Sequence, residues 1–166
     1  MTLRRVLLVV VTLMLLVGCS RLRPTVAPMA PTLSSSDTET LPPDAGFSIQ
    51  ATGRVSPSFS DILIVYQNGL AVYTDQSSGK QFKKQFDEKE KTRWQGLFVT
   101  RAKFASLKDE YPATTPTPDD ATHYVFRYRQ DDMVKTVKAQ KSGAPPELQV
   151  IIREFWSLVE IIQLTS

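Results

Sequence analysis

The sequence predicts an α+β domain: a mostly antiparallel sheet in the order β-β-β-α-β-β-α, with two helices packed on one face. Three observations carry this. Asn68-Gly69, a strong hairpin signal, separates two apolar runs, Ile62–Gln67 and Leu70–Thr74. Leu148, Ile151, Ile152, Phe155, Leu158, Val159 and Ile162 recur at i, i+3, i+4 and i+7, the stripe of an amphipathic helix. Strand patterns joined by short turns build antiparallel sheets, and the apolar stripes of helices must then cover a sheet face.

Each element has its own warrant. Phe47, Ile49, Ala51, Gly53 and Val55 alternate as a half-buried strand, which Pro57 closes. Asn68 and Gly69 both tolerate positive φ, which predicts a two-residue type I′ turn. Asp75–Gly79 is a second turn, leading into Lys80–Phe86, a third pairing strand that carries Phe82 and Phe86. Asp87 followed by Glu90 has capping-box spacing; the helix it starts carries Trp94, Leu97, Phe98 and Ala102 and ends near residue 103. Phe104, Leu107 and Tyr111 are loosely spaced before Pro112, and 114–120 is a loop. Tyr124, Phe126 and Tyr128 alternate with Val125, Arg127 and Arg129 in a strand that turns at Asp131-Asp132 and returns over Met133–Lys141. Pro146 stands in the first turn of the last helix, where its missing N–H costs nothing.

Ahead of this domain the composition changes twice. Arg4 and Arg5 precede Val6–Val17, an apolar run of twelve interrupted only by Thr12. As a helix that run reaches about 18 Å, short of the ~30 Å hydrocarbon core, so it fits a signal-peptide h-region rather than a span. It ends in Leu16-Val17-Gly18-Cys19. This resembles the lipobox of bacterial lipoproteins, in which the small residue admits a peptidase and the thiol accepts a diacylglyceryl group. The resemblance implies cleavage between Gly18 and Cys19. It also implies a palmitate-bearing lipid on Cys19 and residence on the extracytoplasmic face of the cell membrane, or of an outer membrane where the cell has one. Residues 20–46 hold five prolines (24, 28, 31, 42 and 43) among many Ser and Thr. Such a stretch buries too little apolar surface to offset its ordering entropy and reads as a disordered tether. The organisation is therefore signal peptide 1–18, lipidated Cys19 with tether 19–46, and one globular domain 47–166, long enough to bury a core without staples.

Composition excludes several classes of function. The chain has 166 residues, 42% of them hydrophobic and 22% charged, with 20 basic and 17 acidic side chains. From residue 47 onward 16 basic face 14 acidic residues, far from the cationic footprint of a nucleic-acid binder. A lone Cys19 permits no internal disulfide, and with only His123 beside it a structural zinc cluster is excluded. His123 lacks the partners of a nucleophilic triad, and no glycine-rich phosphate loop is present. Asp119-Asp120 and Asp131-Asp132 lack calcium-loop spacing and sit where turns favour Asp. No catalytic, cofactor-binding or metal-binding residue is assigned, and the chain is not expected to be an enzyme. Arg127, Arg129, Lys135 and Lys138 project from adjacent strands, either as a solvated sheet face or as a face for an acidic partner or lipid headgroup. Trp94, Phe98, Phe155 and Trp156 are expected in the core. Trp156 alone falls off its helix's stripe and is the candidate exposed aromatic anchor.

From about residue 58 the layout also resembles the emfourin-like inhibitors of thermolysin-like metalloproteases. The likeness lies in a helix followed by Phe104-x-x-Leu107 and Tyr111-Pro112, then Pro118-Asp119 ahead of a strand at Tyr124. A return strand around Thr136-Val137 and Pro146-x-Leu148 opening a terminal helix complete it. The Gly-Gly segment of that family's first strand has no counterpart, so no inhibitory residue is carried over. The resemblance implies a non-enzymatic domain that caps a secreted metalloprotease. The expected function is a membrane-anchored, non-catalytic protein-binding module; the alternative is a structural or assembly lipoprotein of the cell envelope.

Overall fold

The computed structural model describes residues 40–53, 59–114 and 122–165, all within one compact unit. In chain order the elements are β1 (Ala45–Gly53), β2 (Phe59–Tyr66), β3 (Leu70–Asp75), β4 (Lys80–Gln85) and helix α1 (Glu88–Gly96). A π-helical turn (Leu97–Arg101), a 3-10 turn (Phe104–Ser106), β5 (Glu110–Tyr111), β6 (His123–Gln130), β7 (Met133–Gln140) and helix α2 (Pro146–Thr165) follow. The strands form one sheet in the order β4-β3-β2-β1-β6-β7-β5. Every neighbouring pair is antiparallel except β5 with β7.

The α+β class and the antiparallel sheet match the sequence reading, while the strand count needs correction. Four strands, not three, precede the first helix, and the short β5 adds a seventh. β1 is no appendage to the hairpin. It is the middle strand, pairing Ile49 with Leu63 of β2 on one side and with Phe126 of β6 on the other. β4 then extends the β2–β3 hairpin to the sheet edge. The tether expected to run to residue 46 gives way earlier, since Leu41 is buried and Ala45 and Gly46 already belong to β1.

The β2–β3 hairpin forms, but its turn differs from the expected type. Only Gly69 takes positive φ (87°), and its N–H donates to the Tyr66 carbonyl at 2.9 Å. The loop is thus a turn over Tyr66–Gly69 with the glycine in the left-handed region, as three-residue hairpin loops require, rather than a type I′ pair. The capping box is present: Asp87 Oδ1 accepts from the Glu90 N–H at 2.7 Å, and Glu90 Oε2 accepts from the Asp87 N–H at 3.2 Å. Lys103, with φ of 46°, closes the helical stretch where the sequence places its end.

The core lies between the helices and one sheet face. β1 contributes Phe47, Ile49 and Ala51, β2 Leu63 and Val65, and β6 Tyr124, Phe126 and Tyr128. From α1 and its π-helical extension come Trp94, Leu97 and Phe98; from α2, Leu148, Ile151, Phe155, Leu158, Val159 and Ile162. Ile62, Ile64 and Val72, which point to the opposite face, are buried too. That explains why Ile62–Tyr66 reads as a continuous apolar run rather than an alternation. At the centre Phe98 lies flat on Tyr128 (centroids 5.0 Å, 10°) and against Phe47 at 4.9 Å, with Phe104 edge-on at 5.2 Å.

Phe98 is fully buried, so Phe98→Ala removes three ring contacts at once. Urea titration is expected to show a loss of about 3–5 kcal/mol. Asp87→Ala, which removes only the helix cap, is expected to cost about 1 kcal/mol.

Candidate functional site

A cavity of about 400 Å³ opens at the end of the sheet where β1 begins and β2 and β6 finish, beneath α1. Helical spacing brings Glu88, Lys91, Thr92 and Gln95 to one side of α1 above it. Phe47, Trp94 and Tyr128 make its aromatic wall, with Phe47 and Trp94 stacked at 5.2 Å. Lys91 pairs with Glu88 at the rim. Arg129 is committed to the incoming chain, its Nε donating to the Ala45 carbonyl and its Nη2 to the Pro42 carbonyl, each at 3.1 Å. Asp131 reaches the mouth from the β6–β7 turn in a left-handed conformation, φ 54°. Burial first, and then the Asp131 charge, push the Tyr128 phenol above its ordinary pKa. Chemically this is a receptacle: the rings can take an apolar or aromatic side chain, and the charged rim can orient it.

The basic residues singled out from the sequence do not form one face. Arg127, Arg129 and Lys138 lie on the sheet face away from the core, whereas Lys135 sits opposite Tyr128 on the helix-covered side, where it pairs with Asp109. His123 opens β6 opposite Gln140 of β7 and Thr52 of β1. Asp131 and Asp132 occupy the β6–β7 turn as expected; Asp119-Asp120, Gly18 and Cys19 lie outside the described residues. Trp94, Phe98 and Phe155 are buried. Trp156, expected in the core but also the candidate for an exposed anchor, is half-buried and packs against the core: its indole N–H donates to Tyr124 Oη at 3.1 Å, and its ring meets Phe59 and Phe155. A large ring one position off the stripe still reaches the core when a polar partner takes its N–H.

Sequence reasoning missed a buried acid. Asp61 is 6% exposed and accepts a 2.8 Å hydrogen bond from Tyr73 Oη, which Gln163 approaches at 3.4 Å. The register sets Asp61 directly opposite Asp75. Burial raises the Asp61 pKa; the Tyr73 bond opposes this and the Asp75 charge adds to it. Burial and the bond to Asp61 raise Tyr73. Asp75 moves the other way, to about 2, because the side chains of Ser77 and Ser78 donate to its carboxylate.

Among the described residues, no group of three His, Cys, Asp or Glu side chains is placed to hold a metal ion. No described helix is long and apolar enough to cross a membrane. No family model matches the chain, and no curated protein matches it.

The two carboxylates make opposite contributions to stability against pH. Asp61, raised in the fold, favours the folded state while protonated, and that contribution is lost as pH rises from 3.8 through its higher folded value. Asp75 contributes above 3.8, and its share is lost as pH falls toward 2. Asp61→Asn keeps an acceptor for Tyr73 and removes the buried charge. Thermal unfolding is expected to show the variant more stable than wild type at neutral pH, with the gap closing in acid.

Proposed function

We propose that this chain is a lipoprotein held by Cys19 on the extracytoplasmic face of a membrane, and that its domain is a protein-binding module without chemistry of its own. The observation that carries the reading is Leu16-Val17-Gly18-Cys19 at the end of a charged and then apolar leader. Acylation consumes the single thiol. One acyl chain gives only marginal membrane binding at roughly 0.8 kcal/mol per buried CH₂, and two or more hold stably. A proline-rich stretch follows, and the sheet begins at Ala45. The pattern is that of a folded head carried on a leash.

The emfourin resemblance gives the partner class: a secreted thermolysin-like metalloprotease, met by a domain that blocks it. The aromatic cavity with its charged rim supports contact with a protein side chain, since buried aromatic pockets are where interfaces concentrate their energy.

Growth in labelled palmitate is expected to mark the wild-type chain and leave Cys19→Ser unmarked; equal labelling rejects the anchor. Incubating the full chain in nonionic detergent with a thermolysin-like protease is expected to slow peptide cleavage. Undiminished cleavage rejects the inhibitor reading and leaves the anchor standing.

A further inference from the structure

The sheet has two edges, and they are built differently. β4 carries Lys80, Lys83 and Lys84 among its six residues, a guard against strand pairing. Among the described residues, β7 is flanked on its outer side only at its far end, where β5 sets Glu110 against Lys138 and Tyr111 against Ala139. The Lys138 N–H points outward, donating to the Asp109 carbonyl at 2.8 Å. Inward and outward backbone groups alternate along an antiparallel strand, so the N–H and C=O of Val134 and Thr136 also face outward. Among the described residues no strand lies beside them. Met133 and Val134 are 78% and 40% exposed at this edge.

We propose that the outer edge of β7 at Val134–Thr136 takes an extended, carboxylate-bearing segment of another polypeptide as an added strand. This deepens the binding-module reading and rests on it. Backbone bonds to Val134 and Thr136 supply the register, as in other strand additions. Charge selects the partner. On the face away from the helices, Lys138 is exposed in β7 and Arg127 stands opposite Thr136 one strand inward, while Arg129, opposite Val134, adds its charge from further in, turned toward the Ala45 and Pro42 carbonyls. The residues that β6 and β7 present on that face include no carboxylate, and Glu110 of β5, in register with Lys138, is the acidic neighbour that the three cations outnumber. A strand alternating acidic with β-branched side chains therefore meets an excess of positive charge on that face. A second copy of the chain fits poorly, because antiparallel pairing of two open β7 edges sets Lys135 against the same residue of the copy. β5 also stops such pairing at Val137.

The test uses the isotopically labelled full chain in nonionic detergent, with a blocked heptapeptide of alternating valine and glutamate as probe. Saturable binding is expected, with slowed hydrogen exchange at the Val134 and Thr136 amides. Lys138→Glu is expected to weaken binding roughly fivefold, and a valine–lysine peptide is expected not to bind. Val134→Pro removes an outward donor without touching the β6 ladder and is expected to abolish binding. Should that variant misfold, a peptide N-methylated at alternate residues poses the same question to the wild-type chain and is expected to fail to bind. No binding, unchanged binding to Val134→Pro, full binding of the N-methylated peptide, or protection elsewhere overturns the proposal. Absent peptide binding with palmitate labelling intact rejects the edge alone.

Discussion

β1 is the one strand shared by two otherwise separate hairpin systems, and the rest of the domain depends on that sharing. It pairs with β2 from Phe47 opposite Val65 to Gly53 opposite Phe59, and with β6 from Phe47 opposite Tyr128 to Thr52 opposite His123. Closing the long loop between β1 and β6 costs entropy that grows slowly with length. The aromatic group seated across that pairing offsets it. Phe47 on β1, Tyr128 on β6 and Phe98 from the π-helical turn lie within 5.0 Å of one another through Phe98. Each such ring pair contributes about 0.5–1.5 kcal/mol beyond its buried area. The helices are thus fixed to the seam where the two hairpin systems meet.

That seam also explains where polar groups gather. The cavity opens where β1, β2 and β6 end and α1 begins, so its wall is the outer margin of the aromatic core and its rim is the polar side of α1. At the other end of β2, Asp61 is forced inward by the same parity that buries Leu63 and Val65. Tyr73 then answers it from β3. The neighbouring Asp75 escapes this conflict by turning to two serine hydroxyls in its own loop.

Much of this was legible in local residues. The Asp87/Glu90 box, the stripe on α2 and the alternation of β6 each depend on a single element and are visible without a fold. What was not legible is non-local. Nothing in the Phe47–Gly53 segment announces that it pairs with a strand some seventy-five residues later, nor that β2 is buried on both faces. The type I′ expectation at Asn68-Gly69 failed because a longer loop with one left-handed glycine satisfies the same pair of residues. The split of the basic cluster was within reach, since Lys135 and Lys138 are three apart in one strand and so point to opposite faces. The core placement of Trp156 was legible, but not the hydroxyl from β6 that takes its N–H and removes it as an exposed anchor.

The architecture is consistent as a rigid head: helices bind one face, lysines guard one edge, and among the described residues no strand pairs with a short stretch of the opposite edge, which lies beside positive charge. Site-resolved hydrogen exchange on the unliganded chain tests this most directly. The account predicts that amides of β1 and of the inner β6 ladder share the slowest, globally limited exchange, while the Val134 and Thr136 amides exchange rapidly despite lying in a strand. Equal protection of Val134 and Thr136 with the β6 amides, or release of β6 and β7 well before β2 and β3, would contradict it.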